Sequence, residues 1–415
     1  SDSQFFLGLM YANAKGMPRD LDASMKWYRR AAEQWHPMAL YYIGLRYQEG
    51  KGVAKDRTEA VRWYRKAADE GNAKAQYMLA QAYTKGVGVS KDYKVALKWY
   101  RRASEQKHSS AQLGLGLMYA TGRGVEQNFE TAAQWYRRAA ENGLAAAQFA
   151  MGAVYNLGKG LPKNYQKAAH WYGKAAEQND VDAQLALGAM YRKGEGVHQN
   201  HSKALALYLP AAKQGNWRAQ NDAAFLYVEG KGIAYNPEKA LFWMTEAAKK
   251  EEQDLSGRGV PAALLGNWYL TGKHAPVIRA DNQKALYWLW SAAKADHAHA
   301  LSNLALMYAT GTGVPQDYKE MVRLLIKSAS AFGKQDQWCL NEGDDWPKFT
   351  RADVPGHFMQ VRSLYWKAIS TREVKYLVAL RKLSEDDEIA PDVPHDRKLK
   401  SAAFSGVPGA FDRRS

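Results

Sequence analysis

The sequence predicts an all-α solenoid of about nine antiparallel helix hairpins, followed by a helical C-terminal cap. Two recurrences predict it. The pair Trp-Tyr returns every 36 residues, at Trp27-Tyr28, Trp63-Tyr64, Trp99-Tyr100, Trp135-Tyr136 and Trp171-Tyr172. The slot continues as Leu207-Tyr208, Trp243-Met244, Trp288-Leu289 and Leu324-Leu325. A second beat falls on Tyr11, Tyr47, Tyr83, Tyr119, Tyr155, Tyr191, Tyr227, Tyr269 and Tyr308, which makes nine copies of one unit. A period of this size marks an array of supersecondary units, each burying its apolar face only against its neighbours. Recognition by a long surface is therefore expected ahead of catalysis.

Within one unit, taken from Met38 to Gly71, each element has a local cause. Ala39, Ile43 and Tyr47 are four residues apart and share one helix face. Gly44 beside them lets a neighbouring backbone approach. Gly50 stops the first helix, because a left-handed residue costs glycine little. Gly52 completes the turn and Val53 plugs the core. Asp56 is the expected N-cap of the second helix, with Glu59 at capping-box spacing. That helix carries Ala60, Trp63, Tyr64, Ala67 and Ala68, with alanines for close packing and aromatics for filling gaps. The cap varies within its chemistry as Asp92, Asn128, Asn164, Asn200 and Asp317, and Asn236 is followed by Pro237 at the first helical position.

These residues resemble the Sel-one-like repeat, a relative of the tetratricopeptide repeat. The pattern is nearly complete at Leu115-Gly116, Tyr119, Gly122-Arg123-Gly124-Val125, Trp135-Tyr136 and Ala139-Ala140. It covers residues 1–330. The resemblance implies a right-handed superhelix whose first helices line a concave face and whose second helices form the outer wall. It also implies an adaptor or binding role, and one role within the family is an immunity protein that occludes a secreted antibacterial effector such as a lipase. Other readings are a scaffold of an envelope or signalling assembly, and a peptidoglycan- or polysaccharide-binding module.

The period breaks twice. Trp243 to Tyr269 spans 26 residues where 20 is regular, and the extra six fall in Lys249–Pro261. Tyr269 to Trp288 spans 19 where 16 is regular, and the extra three fall in Lys273–Asp281. Insertions in arrays map to loops, often on the binding side, and neutral drift in a surface loop explains them equally well. Two adjacent breaks would form one projecting edge. After Ala331 the period stops. Residues 331–383 read as the capping region, with helices expected over His357–Ile369 and Glu373–Leu383, and 384–415 as an irregular tail.

The formal net charge is +16, from 58 Lys and Arg against 42 Asp and Glu. The excess sits in the repeats, because residues after Ala331 carry 14 basic against 13 acidic side chains. A basic surface favours an acidic partner or one with an acidic patch, and it also serves as a solvated face. Cys339 stands alone, so neither a disulfide framework nor a cysteine-based zinc site is expected. No apolar run approaches the length of a membrane span. The chain opens at Ser1 without Met, and the expectation is a removed signal and a periplasmic protein, with the cytoplasm as the alternative.

No Gly-x-Ser-x-Gly elbow, His-Glu-x-x-His helix or phosphate loop is present, and no cofactor or metal is expected. His198 with His201, and His297 with His299, read as loop histidines facing solvent. Trp interleaved with Arg could stack single-stranded nucleic acid, but the spacing makes the Trp stripe core packing, so no nucleic-acid partner is expected. Candidate partner-binding positions are those five and two residues before each second-beat residue, on the first helix of each unit. The ones with anchoring side chains are Tyr42, Leu45, Met78, Gln81, Asp222, Phe225, Leu264, Asn267, Asn303 and Leu306. Small residues such as Gly114, Ala150 and Ala186 occupy the middle units. Apolar anchors among polar groups suit a close-fitting protein element.

Overall fold

The computed structural model describes residues 1–254, 259–274 and 276–332. The expected helices over 357–369 and 373–383, the 384–415 tail and Cys339 lie outside the described residues. The chain divides into two compact units, Ser1–Asn200 and a second beginning at His201.

The first unit holds α1 (Asp2–Asn13), α2 (Leu21–Ala32), α3 (Pro37–Glu49), α4 (Arg57–Asp69), α5 (Ala73–Lys85) and α6 (Tyr93–Glu105). It continues with α7 (Ser109–Thr121), α8 (Phe129–Glu141), α9 (Ala145–Leu157), α10 (Tyr165–Glu177) and α11 (Val181–Lys193). The second unit holds α12 (His201–Lys213), α13 (Trp217–Glu229), α14 (Pro237–Asp254), α15 (Val260–Thr271), α16 (Asn282–Lys294), α17 (Ala298–Thr310) and α18 (Tyr318–Phe332). Odd-numbered helices are the first, or A, helices of each repeat, and even-numbered ones are the B helices. Among the described residues the only non-helical pairing is an isolated bridge between His274 and Ile278.

One hydrogen bond closes every hairpin. The N–H of the residue before each B helix donates to the carbonyl of the second-beat tyrosine, from Asp20 to Tyr11 at 3.1 Å through Asp56 to Tyr47 at 2.9 Å to Asp317 to Tyr308 at 3.0 Å. The side chain of the same residue then turns the other way and caps the B helix. Asp56 Oδ1 accepts from the N–H groups of Thr58 and Glu59, both at 2.9 Å. One residue thereby satisfies both a loop carbonyl and the orphan donors of the next helix. The capping box does not close, because the Asp56 N–H is already used. Glu59 instead accepts from the Trp63 indole at 2.9 Å and from Arg62 at 3.1 Å.

The tyrosine of each Trp-Tyr pair is the core aromatic. Tyr28, Tyr64, Tyr100, Tyr136, Tyr172 and Tyr208 are all at most 6% exposed, and Met244, Leu289 and Leu325 replace it at 0–1%. Burial pushes the phenols of Tyr136 and Tyr172 up to about 12. Gly44 admits this ring as well as a backbone, the Ala60 carbonyl oxygen, which would lie 3.1 Å from a Cβ there. A Cβ there would lie 2.7 Å from the Tyr64 ring, and Gly116 and Gly152 meet Tyr136 and Tyr172 in the same way.

The tryptophans are less uniform than core packing predicts. Trp99 and Trp288 are buried at 8% and 4%, while Trp27, Trp63, Trp135 and Trp171 are half-buried. On the half-buried ones a cation three residues along the helix covers the ring: Arg30 at 4.7 Å, Lys66 at 4.4 Å, Arg138 at 4.6 Å and Lys174 at 4.9 Å from the centroid. The arginine just after each of the first four Trp-Tyr pairs reaches the next repeat, while Gly173 follows the fifth. Arg29 and Arg101 donate to the hydroxyls of Tyr47 and Tyr119 at 3.0 and 2.8 Å, and Arg65 donates to that of Tyr83.

The first insertion is not simply a loop. Lys249–Asp254 extends α14 to 18 residues before the chain turns into α15 at Gly259 and Val260. The second lies between α15 and α16. The two therefore sit at opposite ends of α15 and do not form one edge. Successive connections of an antiparallel array alternate ends, and a 12-residue helix separates these two by about 18 Å.

Histidine placement corrects the sequence reading. His201 begins α12 and is half-buried, while His198 is exposed in the preceding turn. His297 is 7% exposed and is the N-cap of α17, its Nδ1 accepting from the Ala300 N–H at 3.3 Å. Only His299 of that pair faces solvent. His36 and His108 cap α3 and α7 in the same manner. A cap of this kind needs a lone pair on Nδ1, so it needs the neutral ring.

Burial, then the neighbouring His299, lowers the His297 pKa from 6.5 to about 4. The folded state thus resists a proton that the unfolded chain accepts below about pH 6.5. Stability from this residue is complete above that pH and is lost as pH falls from 6.5 toward 4. The ceiling is about 3 kcal/mol. The expected result is that His297→Asn, which retains a capping oxygen, flattens the loss of stability between pH 7 and pH 5. Parallel urea curves for both proteins across that range would exclude the effect.

Candidate functional site

Each A helix has one face locked into the core and one left open. Ile43, Leu79, Leu226, Leu265 and Leu304 are each 0% exposed. The candidate positions beside them are all half-buried, from Tyr42 and Leu45 on α3 to Asn303 and Leu306 on α17. The helical period forces this division, since residues three apart share a face that the intervening residues do not.

In the first unit the candidates are Tyr42, Leu45, Met78 and Gln81. The Tyr42 ring stacks on Tyr28 at 5.6 Å and so bridges α2 and α3. Gln81 Nε2 donates to the Tyr77 hydroxyl at 2.6 Å, one turn back along α5. Tyr77 in turn stacks on His108 at 4.9 Å. Burial, then Lys74, holds the His108 pKa below its usual value. Further along, Gly114, Ala150, Ala153, Ala186 and Ala189 leave the helix surface low, while Leu117 stands 51% exposed among them. Gly114 is small for a reason of packing: a Cβ there would sit 2.7 Å from the Tyr100 ring.

In the second unit the candidates are Asp222 and Phe225 on α13, Leu264 and Asn267 on α15, and Asn303 and Leu306 on α17. Each pair is spaced by three along its helix, placing one polar and one apolar side chain together on each rung. At one end of α15 the second insertion is held by aromatic contacts. His274 lies edge-on to Trp268 at 5.0 Å, and its Nδ1 is 3.4 Å from the Tyr235 hydroxyl. Burial, then Lys273, lowers the His274 pKa from its usual value. This pinning leaves Tyr235 at 52% and Val277 at 37% exposure.

Two sets of residues escaped the sequence reading. One is the buried glutamine series Gln76, Gln112, Gln148, Gln184 and Gln220, each at most 6% exposed. Gln76 donates to the Ala68 carbonyl of the preceding hairpin at 3.1 Å and accepts from Gln106 of its own hairpin at 2.9 Å. Gln148 and Gln178 repeat the link at 2.8 Å. The 36-residue recurrence of Gln was the available signal. The other set is the histidine caps, whose place matches Asn72, Asp180 and Asn216 in other repeats. Among the described residues no group of three His, Cys, Asp or Glu side chains could hold a metal ion, and no helix is long and apolar enough to cross a membrane.

The Sel1 repeat model matches nine consecutive stretches: residues 1–34, 37–72, 73–108, 109–144, 145–180, 181–216, 217–251, 262–297 and 298–331. The chain belongs to the Sel1 repeat family. The gap between 251 and 262 coincides with the first insertion, so this Sel1 repeat protein departs from the family pattern where its period breaks. Among solved structures it is similar to c5321 of uropathogenic Escherichia coli, described as a protective antigen. The two are 28% identical over 92% of this chain and 87% of that one, with a TM-score of 0.62. A Sel1 repeat protein from Oxalobacter formigenes is 38% identical over 59% of this chain and 96% of its own, with a TM-score of 0.53. The immunity protein Pa5087 of Pseudomonas aeruginosa aligns at 22% identity over 55% of this chain and 82% of its own. Its TM-score is 0.32, and the overlap adds nothing to the family assignment. No curated protein matches the chain.

Proposed function

We propose that this Sel1 repeat protein works by holding another protein on the open faces of its A helices, as the immunity partner of a secreted antibacterial effector. The observation that carries the binding role is the division of each A helix into a fully buried row and a half-buried row. The half-buried row keeps large anchors, such as Tyr42 and Met78 in the first unit and Phe225, Leu264 and Leu306 in the second. Apolar anchors beside Asp222, Asn267 and Asn303 suit a partner that is both buried and oriented. The net charge of +16 favours an acidic effector. An effector met outside the cytoplasm would place the protein in the periplasm.

The test is to purify the protein from its native host and identify what co-purifies. The expected result is one predominant secreted protein. Phe225→Ala combined with Leu306→Ala, with melting unchanged, should weaken that complex at least tenfold, or about 1.4 kcal/mol. Unchanged affinity, with binding abolished by reversing Arg101 and Arg102, would move the site to the B-helix wall. Retention on a peptidoglycan column with no protein partner would overturn the reading.

A further inference from the structure

Residues 1–200 carry 29 Lys and Arg against 18 Asp and Glu, and the A-to-B turns are net basic while the B-to-A turns are net acidic. The A-to-B turns of the first unit present Lys55, Lys85, Lys91, Arg123, Lys159 and Lys163, all exposed. None of the six has a carboxylate partner among the described residues. The B-to-A turns at the other ends of the same helices present Glu33, Glu70, Glu105, Glu141 and Glu177, also exposed. Helix stability does not explain that second row. Glu105, Glu141 and Glu177 are the last residues of their helices, where the helix dipole disfavours an anion by a few tenths of a kcal/mol. The sorting costs stability and so calls for another reason.

A second observation concerns how the cations are held. Lys91 and Arg123 both lie over the Tyr93 ring, at 5.9 and 5.7 Å from its centroid. Lys159 lies over Phe129 at 5.6 Å, and Lys163 over Tyr165 at 4.6 Å. Each ring is the first residue of a B helix, so it is fixed to the scaffold. A cation seated on a ring has lost part of its side-chain freedom before any partner arrives, which lowers the cost of binding. Asp56, Asp92 and Glu126 share these turns but make no ion pair with the ring-seated cations, which leaves those preplaced cations available to carboxylates of a partner.

We propose that the A-to-B turn edge of the first unit docks an acidic protein surface. The rings beneath the cations are half-buried and covered, so bases have no open face to stack on, which argues against single-stranded nucleic acid. Met10 and Leu157 are the large apolar side chains exposed near this edge among the described residues, too few to insert into a bilayer. The opposing acidic edge adds orientation, since it repels the surface that the basic edge attracts. This docking edge is separate from the A-helix faces, and its test does not depend on the anchors there.

The test uses the full chain and a fluorescently labelled poly-glutamate peptide, with anisotropy read across a salt series. Lys159→Glu with Lys163→Glu should weaken binding at least about tenfold at low salt. Lys26→Glu with Lys98→Glu makes the same charge change at exposed mid-helix sites of α2 and α6, and it should weaken binding less than about twofold. Equal losses in both variants would mean that only net charge acts, and would overturn the proposal. So would stronger binding of phosphatidylglycerol vesicles or a single-stranded oligonucleotide than of poly-glutamate, lost in the edge variant. Circular dichroism melting of both variants, expected unchanged, separates loss of binding from loss of fold.

Discussion

Gly160→Ala is expected to destabilise the protein by about 2–5 kcal/mol, as read by urea denaturation. The residue has φ of 86°, where an alanine costs about 1–2 kcal/mol. Its Cβ would also stand 2.1 Å from the Phe129 carbonyl oxygen of the preceding hairpin. That atom belongs to a helix start and cannot swing aside, so the junction must open, at a further cost of about 1–3 kcal/mol. Gly143→Ala is the matched comparison. Its φ is 84° and a Cβ there meets nothing within 4 Å, so the loss should be only about 1–2 kcal/mol. Equal losses at the two positions would show that backbone conformation alone sets the requirement. The second glycine of the turn is thus an inter-repeat contact. Gly88, Gly124 and Gly196 press on Arg57, Tyr93 and Tyr165 in the same way.

Trp99→Ala is expected to cost about 3–5 kcal/mol, the range for truncating a large buried aromatic. Trp99 is 8% exposed, with Arg102 over its face at 4.8 Å. The half-buried Trp135, under Arg138 at 4.6 Å, should cost less when truncated, because part of its surface already meets water. Chemical denaturation that ranks Trp135→Ala above Trp99→Ala would contradict this order. A loss below about 1 kcal/mol at Trp99 would contradict its burial altogether.

The helices, their caps and their stops were legible because each rests on local chemistry repeated nine times. Asp56, Asn128 and Gly50 act where their types and spacing place them. The division of labour within Trp-Tyr was not legible, since both aromatics have the same period. Which one turns inward depends on a few tens of degrees of helix rotation against the neighbouring helix. His297 misled for a related reason. Its spacing from His299 resembles a loop pair, but its place one residue before α17 makes it a cap, and the helix start decided its burial. The two insertions were found by counting, while their positions at opposite ends of α15 follow only from the alternation of the connections. On the A-helix faces, periodicity located the half-buried row. Sequence alone gave no sign of the sorted charges at the turns, because the two edges interleave along the chain.

The contacts between hairpins reuse the same partners one repeat later. Gly124 meets Tyr93 and Gly160 meets Phe129, while Gln76 donates to the Ala68 carbonyl and Gln148 to that of Ala140. Removing residues 109–144 would bring Gly160 onto Tyr93, which already has the backbone position that Gly124 accepts. A gene encoding such an array can therefore gain or lose whole 36-residue blocks by unequal exchange without creating a mismatched junction. Block loss from the first unit would shorten the row of cations at its turns in discrete steps. Reach toward a partner is then inherited as a copy number, and it can change faster than any single contact residue.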